Sequence, residues 1–122
     1  MEKQTVHMAL LLDFYGELLT EKQREAMELY YNEDYSLAEI AKLSGITPQG
    51  VRDAIQRGEA TLLLTEEKTG LMARVTEARE AVARARESLR VLEAQCDPGF
   101  APLFAEVDRE LEHIEGGGPH GV

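Results

Sequence analysis

One cysteine, Cys96, serves the whole 122-residue chain. No internal disulfide can form, and a zinc site built on cysteines is excluded. The three histidines, His7, His113 and His120, stand too far apart to give a metal-ligand spacing. Long apolar runs are missing as well: none approaches the roughly 20 residues that a membrane span needs. The start does not read as a signal peptide, because Met8 to Leu12 is too short an apolar core and Asp13 follows it. Positive charge is scarce. Thirteen Lys and Arg face 23 Asp and Glu, a formal net of −10, which disfavours indiscriminate binding to nucleic acid or to anionic membranes. These absences predict a soluble, cytoplasmic protein that does not insert into membranes.

Helical periodicity is present from end to end, and no stretch alternates with period two for long enough to make a strand. Val6, Leu10, Phe14 and Leu18 recur at spacing four, with Leu11 and Tyr15 widening the stripe. Thr20 and Gln23 have the spacing of a capping box and open a second helix, with Ala26, Met27, Tyr30 and Tyr31 on its apolar side and Asn32 as a left-handed stop. Ser36 and Glu39 repeat the capping signal and open a short helix that Gly45 ends. Thr47-Pro48 restarts the chain with a capping hydroxyl and a proline at the first helical position. Gly50 and Gly58 then weaken the next helix by roughly 1 kcal/mol each relative to Ala, and Thr69-Gly70 is a candidate break.

From Leu71 the spacing alternates four and three through Val75, Ala78, Val82, Ala85, Leu89, Leu92 and Cys96, a heptad seam. Asp97-Pro98-Gly99 makes a turn. Phe100, Phe104, Val107, Leu111 and Ile114 continue with the same spacing, which predicts an antiparallel hairpin. The expectation is therefore an all-α chain: a three-helix helix-turn-helix domain without a wing over 1–70, a heptad-patterned long helix and hairpin over 71–115, and a flexible tail over 116–122. The long first seam exceeds the cover that the shorter second helix can give, which predicts a homodimer.

Residues 37–56 carry the functional signal. Ala41 is small where two helices cross, Gly45 can take a positive φ, Ile46 plugs the turn, and Ile40, Val51 and Ile55 pack beneath the second helix. These are the steric demands of a helix-turn-helix. In a groove, the second helix would present Thr47, Gln49, Arg52, Gln56 and Arg57 as contact residues, with Gln suited to adenine and Arg to guanine or phosphate. Asp53 on the same face repels phosphate, so a purely solvated or protein-binding face stays open as an alternative. Residues 36–57 carry 3 basic and 2 acidic groups, net +1, and form the one segment that is not acidic on balance; residues 1–35 and 97–122 are each at net −5.

The stretches Leu11-Leu12-Asp13-Phe14-Tyr15-Gly16, Leu18-Leu19-Thr20, Leu29-Tyr30-Tyr31, Ser36-Leu37-Ala38-Glu39-Ile40-Ala41 and Gln49-Gly50-Val51-Arg52-Asp53, with Ile55 and Arg57, resemble the YlxM family over roughly residues 6–70. The tail matches only as a helical extension. These are small bacterial helix-turn-helix proteins similar to region 4 of sigma-70-type factors, and their genes typically neighbour those of the signal recognition particle GTPase Ffh and its receptor FtsY. The resemblance implies a regulator of protein targeting whose partner is that GTPase, its RNA, or both. Members often carry Ser and a basic residue where this chain has Thr47-Pro48, which removes a positive charge from that point. A sequence-specific DNA-binding regulator remains the alternative, with DNA bound weakly, and a structural dimer that has lost nucleic-acid function is a third.

The remaining features read as structure. Arg79, Arg86 and Arg90 lie at helical spacing, with Arg74 and Arg84 nearby, but Glu77, Glu80 and Glu87 interleave, and a solvated face fits better than an RNA-facing stripe. Asp13 and Glu17 share a helix face without a partner acid, base or ligand set. Tyr30, Tyr31 and Tyr35 read as core or its rim, and Cys96 as a small packed hydrophobe. Without a glycine-rich phosphate loop after a strand, or a nucleophile elbow, the chain reads as no enzyme, with no cofactor, no catalytic residues and no metal.

Overall fold

The computed structural model describes residues 2–116. Among them there are helices and turns and no strand. The expected tail over 116–122 falls outside the described residues from 117 onward. The chain divides into two compact units between Gly70 and Leu71.

The first unit contains four helices rather than three: α1 Glu2–Tyr15, α2 Glu21–Met27, α3 Leu37–Ser44 and α4 Pro48–Thr69. Both capping boxes form. The Thr20 side chain accepts from the Gln23 N–H while Gln23 Oε1 accepts from the Thr20 N–H, and Ser36 and Glu39 do the same. The hydrogen bonds from Ser36 hold the Glu39 carboxyl below its usual pKa. Helix α2 continues into a wider π-helical turn over Glu28–Asn32, closed by a bond from the Glu33 N–H to the Glu28 carbonyl. This turn delays the stop. Asp34, not Asn32, takes the positive φ, at 60°.

The core gathers Leu11 and Leu12 of α1, Met27 of α2, Ile40 of α3, and Val51, Ile55 and Leu62 of α4. On α1 the buried stripe is Met8, Leu11, Leu12, Tyr15 and, just beyond the helix, Leu19, whereas Val6, Leu10 and Leu18 are exposed. The expected spacing-four stripe is thus turned by about one residue, because Leu11 and Leu12 compete with Leu10 and win the side facing α4. The Tyr15 hydroxyl donates to Glu66 and lies 2.9 Å from Thr69 Oγ1, which ties α1 to the end of α4. Gly58 has a packing reason to sit inside α4: its face is buried against α2, beside Met27. The candidate break is real. Gly70 ends α4 in the left-handed conformation, at φ 60°.

The second unit pairs α5, Leu71–Ala94, with α6, Ala101–Gly116, through a turn in which the Asp97 side chain accepts from the Gly99 N–H at 2.8 Å. The hairpin forms, but its seam differs from the expected one. Val75, Val82 and Leu89 are half-buried as expected, while Ala78 and Ala85 are exposed and Arg79 and Arg86 take the alternate positions. On α6 the half-buried set is Phe104, Asp108, Leu111 and Glu115. Arginine stems bury well along apolar surface while their heads stay polar. The Arg86 guanidinium reaches Asp108 at 2.8 Å and also binds Glu115, so it is a structural clamp and no part of an RNA-facing stripe. Those bonds raise the Arg86 pKa and lower that of Asp108.

Rotating the seam leaves an apolar remainder outside. Leu71 and Leu92 on α5, Phe100 in the turn just before α6, and Val107 and Ile114 on α6 are exposed. All five hold the same heptad position relative to their own buried seam, and in an antiparallel pair equivalent positions emerge on the same flank. They therefore form one ridge along the hairpin.

Candidate nucleic-acid interface

Helices α3 and α4 build the helix-turn-helix. Gly45 takes φ 71° and ψ 25°, the left-handed conformation that the turn requires and that a side chain would strain. Ile40, Ala41, Val51 and Ile55 are buried between the two helices and the rest of the unit. Ile46 is 39% exposed, and its side chain lies over the first turn of α4, where a Cβ on Gly50 would meet Ile46 Cδ1 at 3.5 Å. Thr47 caps α4, its Oγ1 accepting from the Gly50 N–H at 3.0 Å, and Pro48 opens the helix.

The five expected contact residues, Thr47, Gln49, Arg52, Gln56 and Arg57, are all exposed. With about 100° of rotation per residue, Gln49, Asp53 and Gln56 run down the middle of one face, and Arg52 and Arg57 flank it, about 140° apart. Gln49 Nε2 donates to Asp53 Oδ1 at 3.2 Å, a bond between exposed groups that a ligand can displace. The arrangement offers amide donors and acceptors in the centre and one cation on each edge. Its chemistry suits hydrogen bonding to polar groups better than holding a run of phosphates.

On the Arg52 side the face continues into a half-open cavity of about 150 Å³. Arg52, Gln56 and Glu59 of α4 line one wall, Tyr30 and Tyr31 of the π-helical turn the other, and Leu37 and Ile55 supply apolar surface. The two tyrosine rings meet edge to face, centroids 5.0 Å apart at 88°. The Tyr31 hydroxyl donates to Glu59 Oε2. Burial, reinforced by that hydrogen bond and the Glu59 charge, pushes the Tyr31 phenol far above its usual range. Tyr31 is thus a fixed strut, while Tyr30 stands 38% exposed beside it. Glu59 and Tyr30 escape a reading confined to α4's outward face. Their link is the π-helical turn, which has no signature in residue types.

Among the described residues no cluster of three or more His, Cys, Asp or Glu could hold a metal, and no helix is long and apolar enough to cross a membrane.

A left-handed glycine turn, a threonine-capped second helix and a polar exposed face define a helix-turn-helix protein. The chain belongs to the UPF0122 family, described as "Putative helix-turn-helix protein, YlxM / p13 like", whose model matches residues 2–96. It is 41% identical over 115 residues to a UPF0122 protein of Thermoanaerobacter sp. (strain X514), covering 93% of this chain and 98% of that one. Similarity to the UPF0122 protein of Geobacillus kaustophilus is 41% over 108 residues, 88% of this chain and 97% of the relative. The Symbiobacterium thermophilum protein is 49% identical over 71 residues, 58% of this chain and 66% of its own. No solved structure matches the chain.

Proposed function

We propose that this protein is a non-enzymatic, cytoplasmic regulator of the signal recognition particle pathway that acts by binding the particle's RNA, its Ffh-type GTPase, or both, through the α3–α4 face. The pathway comes from the YlxM resemblance. The nature of the surface comes from one observation: Gln49 and Gln56 occupy the centre of the face while its two cations stand on opposite edges with Asp53 between them. Duplex DNA binding rests heavily on phosphate neutralisation, and this face neutralises few phosphates. Folded RNA offers irregular shapes and unpaired bases that a small polar surface can fit. The acidic segments on either side of the motif complement a basic surface on an RNA-binding GTPase.

Self-association through the hairpin ridge completes the reading. A second copy laid on that ridge would cover Leu92, Phe100, Val107 and Ile114 and make a four-helix arrangement.

Calorimetry of the purified protein against the GTPase, the RNA and their complex tests the proposal. Binding to at least one of them is the expected outcome, weakening with salt by about 0.7–0.9 log units per phosphate contact if RNA is the ligand. Charge reversal at Arg52 and Arg57 weakens an RNA contact and spares one made by protein. Tight, selective binding to promoter DNA, with none to those three, makes it a transcription regulator instead.

A further inference from the structure

The cavity between α4 and the π-helical turn has the size, the walls and the polar groups of a binding site for one flat ring. We infer that it is a subsite for a single unpaired nucleobase that carries an exocyclic amino group, cytosine being the simplest; the inference rests on the RNA-binding reading above and names what part of the RNA is held.

Size comes first. About 150 Å³, half-open to solvent, is room for one base. A base inside a duplex is stacked above and below and cannot enter without leaving its helix, whereas loops and bulges offer bases already unstacked.

The walls come next. Tyr30 presents an exposed ring, and its neighbour Tyr31 holds it edge-on at 88°. Tyr31 in turn is fixed by its hydrogen bond to Glu59. An aromatic platform that is positioned before the ligand arrives loses little freedom on binding, and stacking on such rings tolerates any base.

Selectivity then falls to the polar lining. Arg52 donates only, the Glu59 carboxylate accepts only, and the Gln56 amide does both. Cytosine offers an amino donor beside ring and carbonyl acceptors, a pattern these groups complement. Uracil replaces the amino group with a carbonyl, which would set an acceptor against the Glu59 carboxylate. Glu59 is half-buried, and an acceptor set against its carboxylate loses a hydrogen bond and gains a repulsion. Arg52 also belongs to the exposed face, so the same residue joins the cavity to the path of a flanking phosphate.

The test uses the full chain with short single-stranded oligocytidine, oligouridine and a blunt RNA duplex as probes, with binding read by fluorescence anisotropy and by backbone and side-chain amide NMR. Expected are an affinity for oligocytidine about tenfold above that for oligouridine and for the duplex, shifts at Tyr31, Arg52 and Gln56, and a loss of about tenfold in Tyr30→Ala. Glu59→Gln keeps an oxygen for Tyr31 but flattens the preference between the two oligomers. Gln56→Ala, an exposed change, repeats the loss should Tyr30→Ala melt early. Equal binding of the two oligomers, equal binding of the duplex, or indifference to Tyr30→Ala and Gln56→Ala overturns the subsite. If Gln49→Ala and Arg57→Glu then abolish binding to the particle RNA, the broader reading survives without the cavity. If neither the oligomers nor that RNA bind at all, the subsite and the RNA contact both fall, and the proposed function then stands or falls on the GTPase.

Discussion

Gly58 faces Met27 across the α2–α4 crossing so closely that a Cβ on Gly58 would lie 2.5 Å from the Met27 sulfur. Met27 is fully buried, so its thioether would have to shift within a packed core to admit a methyl there. The glycine therefore sets how near α4 lies to α2, and with it the placement of the exposed face of α4.

In Gly58→Ala two effects oppose each other. Better helix propensity contributes about 1 kcal/mol in its favour, while forcing a methyl into a filled core costs about 1–3 kcal/mol. The net expectation is a destabilisation of about 1 kcal/mol, measured by urea unfolding. Gly45 behaves differently. A Cβ there meets nothing within 4 Å, yet φ 71° makes Gly45→Val cost about 1–2 kcal/mol through the backbone alone.

The Arg86 clamp predicts acid sensitivity of the hairpin. The Asp108 pKa is lowered in the folded chain by the guanidinium, so its contribution is complete above the ordinary carboxylate range, near pH 4, and is lost as pH falls through the lowered value. Arg86 keeps its charge throughout, since its pKa is raised. Circular dichroism should show helix lost on acidification, and Arg86→Met should lower the melting temperature at neutral pH and blunt that acid dependence.

Tyr31 should be the reluctant phenol. Burial and Glu59 keep its proton on in the folded state, so the stability linked to it is intact below the ordinary tyrosine range and is lost only as pH rises through its raised pKa. Ultraviolet titration at about pH 11, above the unperturbed tyrosine value near 10, should leave the Tyr31 phenol protonated. Tyr31→Phe should remove that residual component, and denaturant should release it.

Self-association can be tested without harming the hairpin. Val82 and Leu89 are half-buried in the α5–α6 seam, so charging them would unfold the unit. Leu92 and Val107 lie on the outer ridge. Leu92→Glu with Val107→Glu should keep the helicity and yield monomers in analytical ultracentrifugation. A wild type that is monomeric at tens of micromolar ends the proposal.

The legible parts of this fold were those with local signals. Thr20 with Gln23, Ser36 with Glu39, Thr47 with Pro48, and Gly45 each satisfy a need of their own few residues of backbone, so residue type alone reveals them. Which face of a helix is buried depends on the partner, and there the pattern was ambiguous: α1 carries two overlapping leucine stripes, and α5 carries Arg79 and Arg86 whose stems can replace Ala78 and Ala85 against α6. The exposed contact residues are readable from the helix register, but the cavity is not. It depends on an i→i+5 bond from Glu33 to Glu28, and no residue type prefers that bond strongly enough to announce it.

A π-helical turn is an α-helical turn that has accommodated one surplus residue. Deleting a single residue from Glu28–Asn32 would let the helix close to ordinary pitch and move the side chains within the turn by one position, about 100° around its axis. Tyr31 would leave Glu59, and the wall facing Gln56 would be gone while α3 and α4 stayed intact. A chain without that surplus residue would keep the helix-turn-helix and lack the cavity, so the number of residues in this turn matters to the cavity as much as the identity of any side chain that lines it.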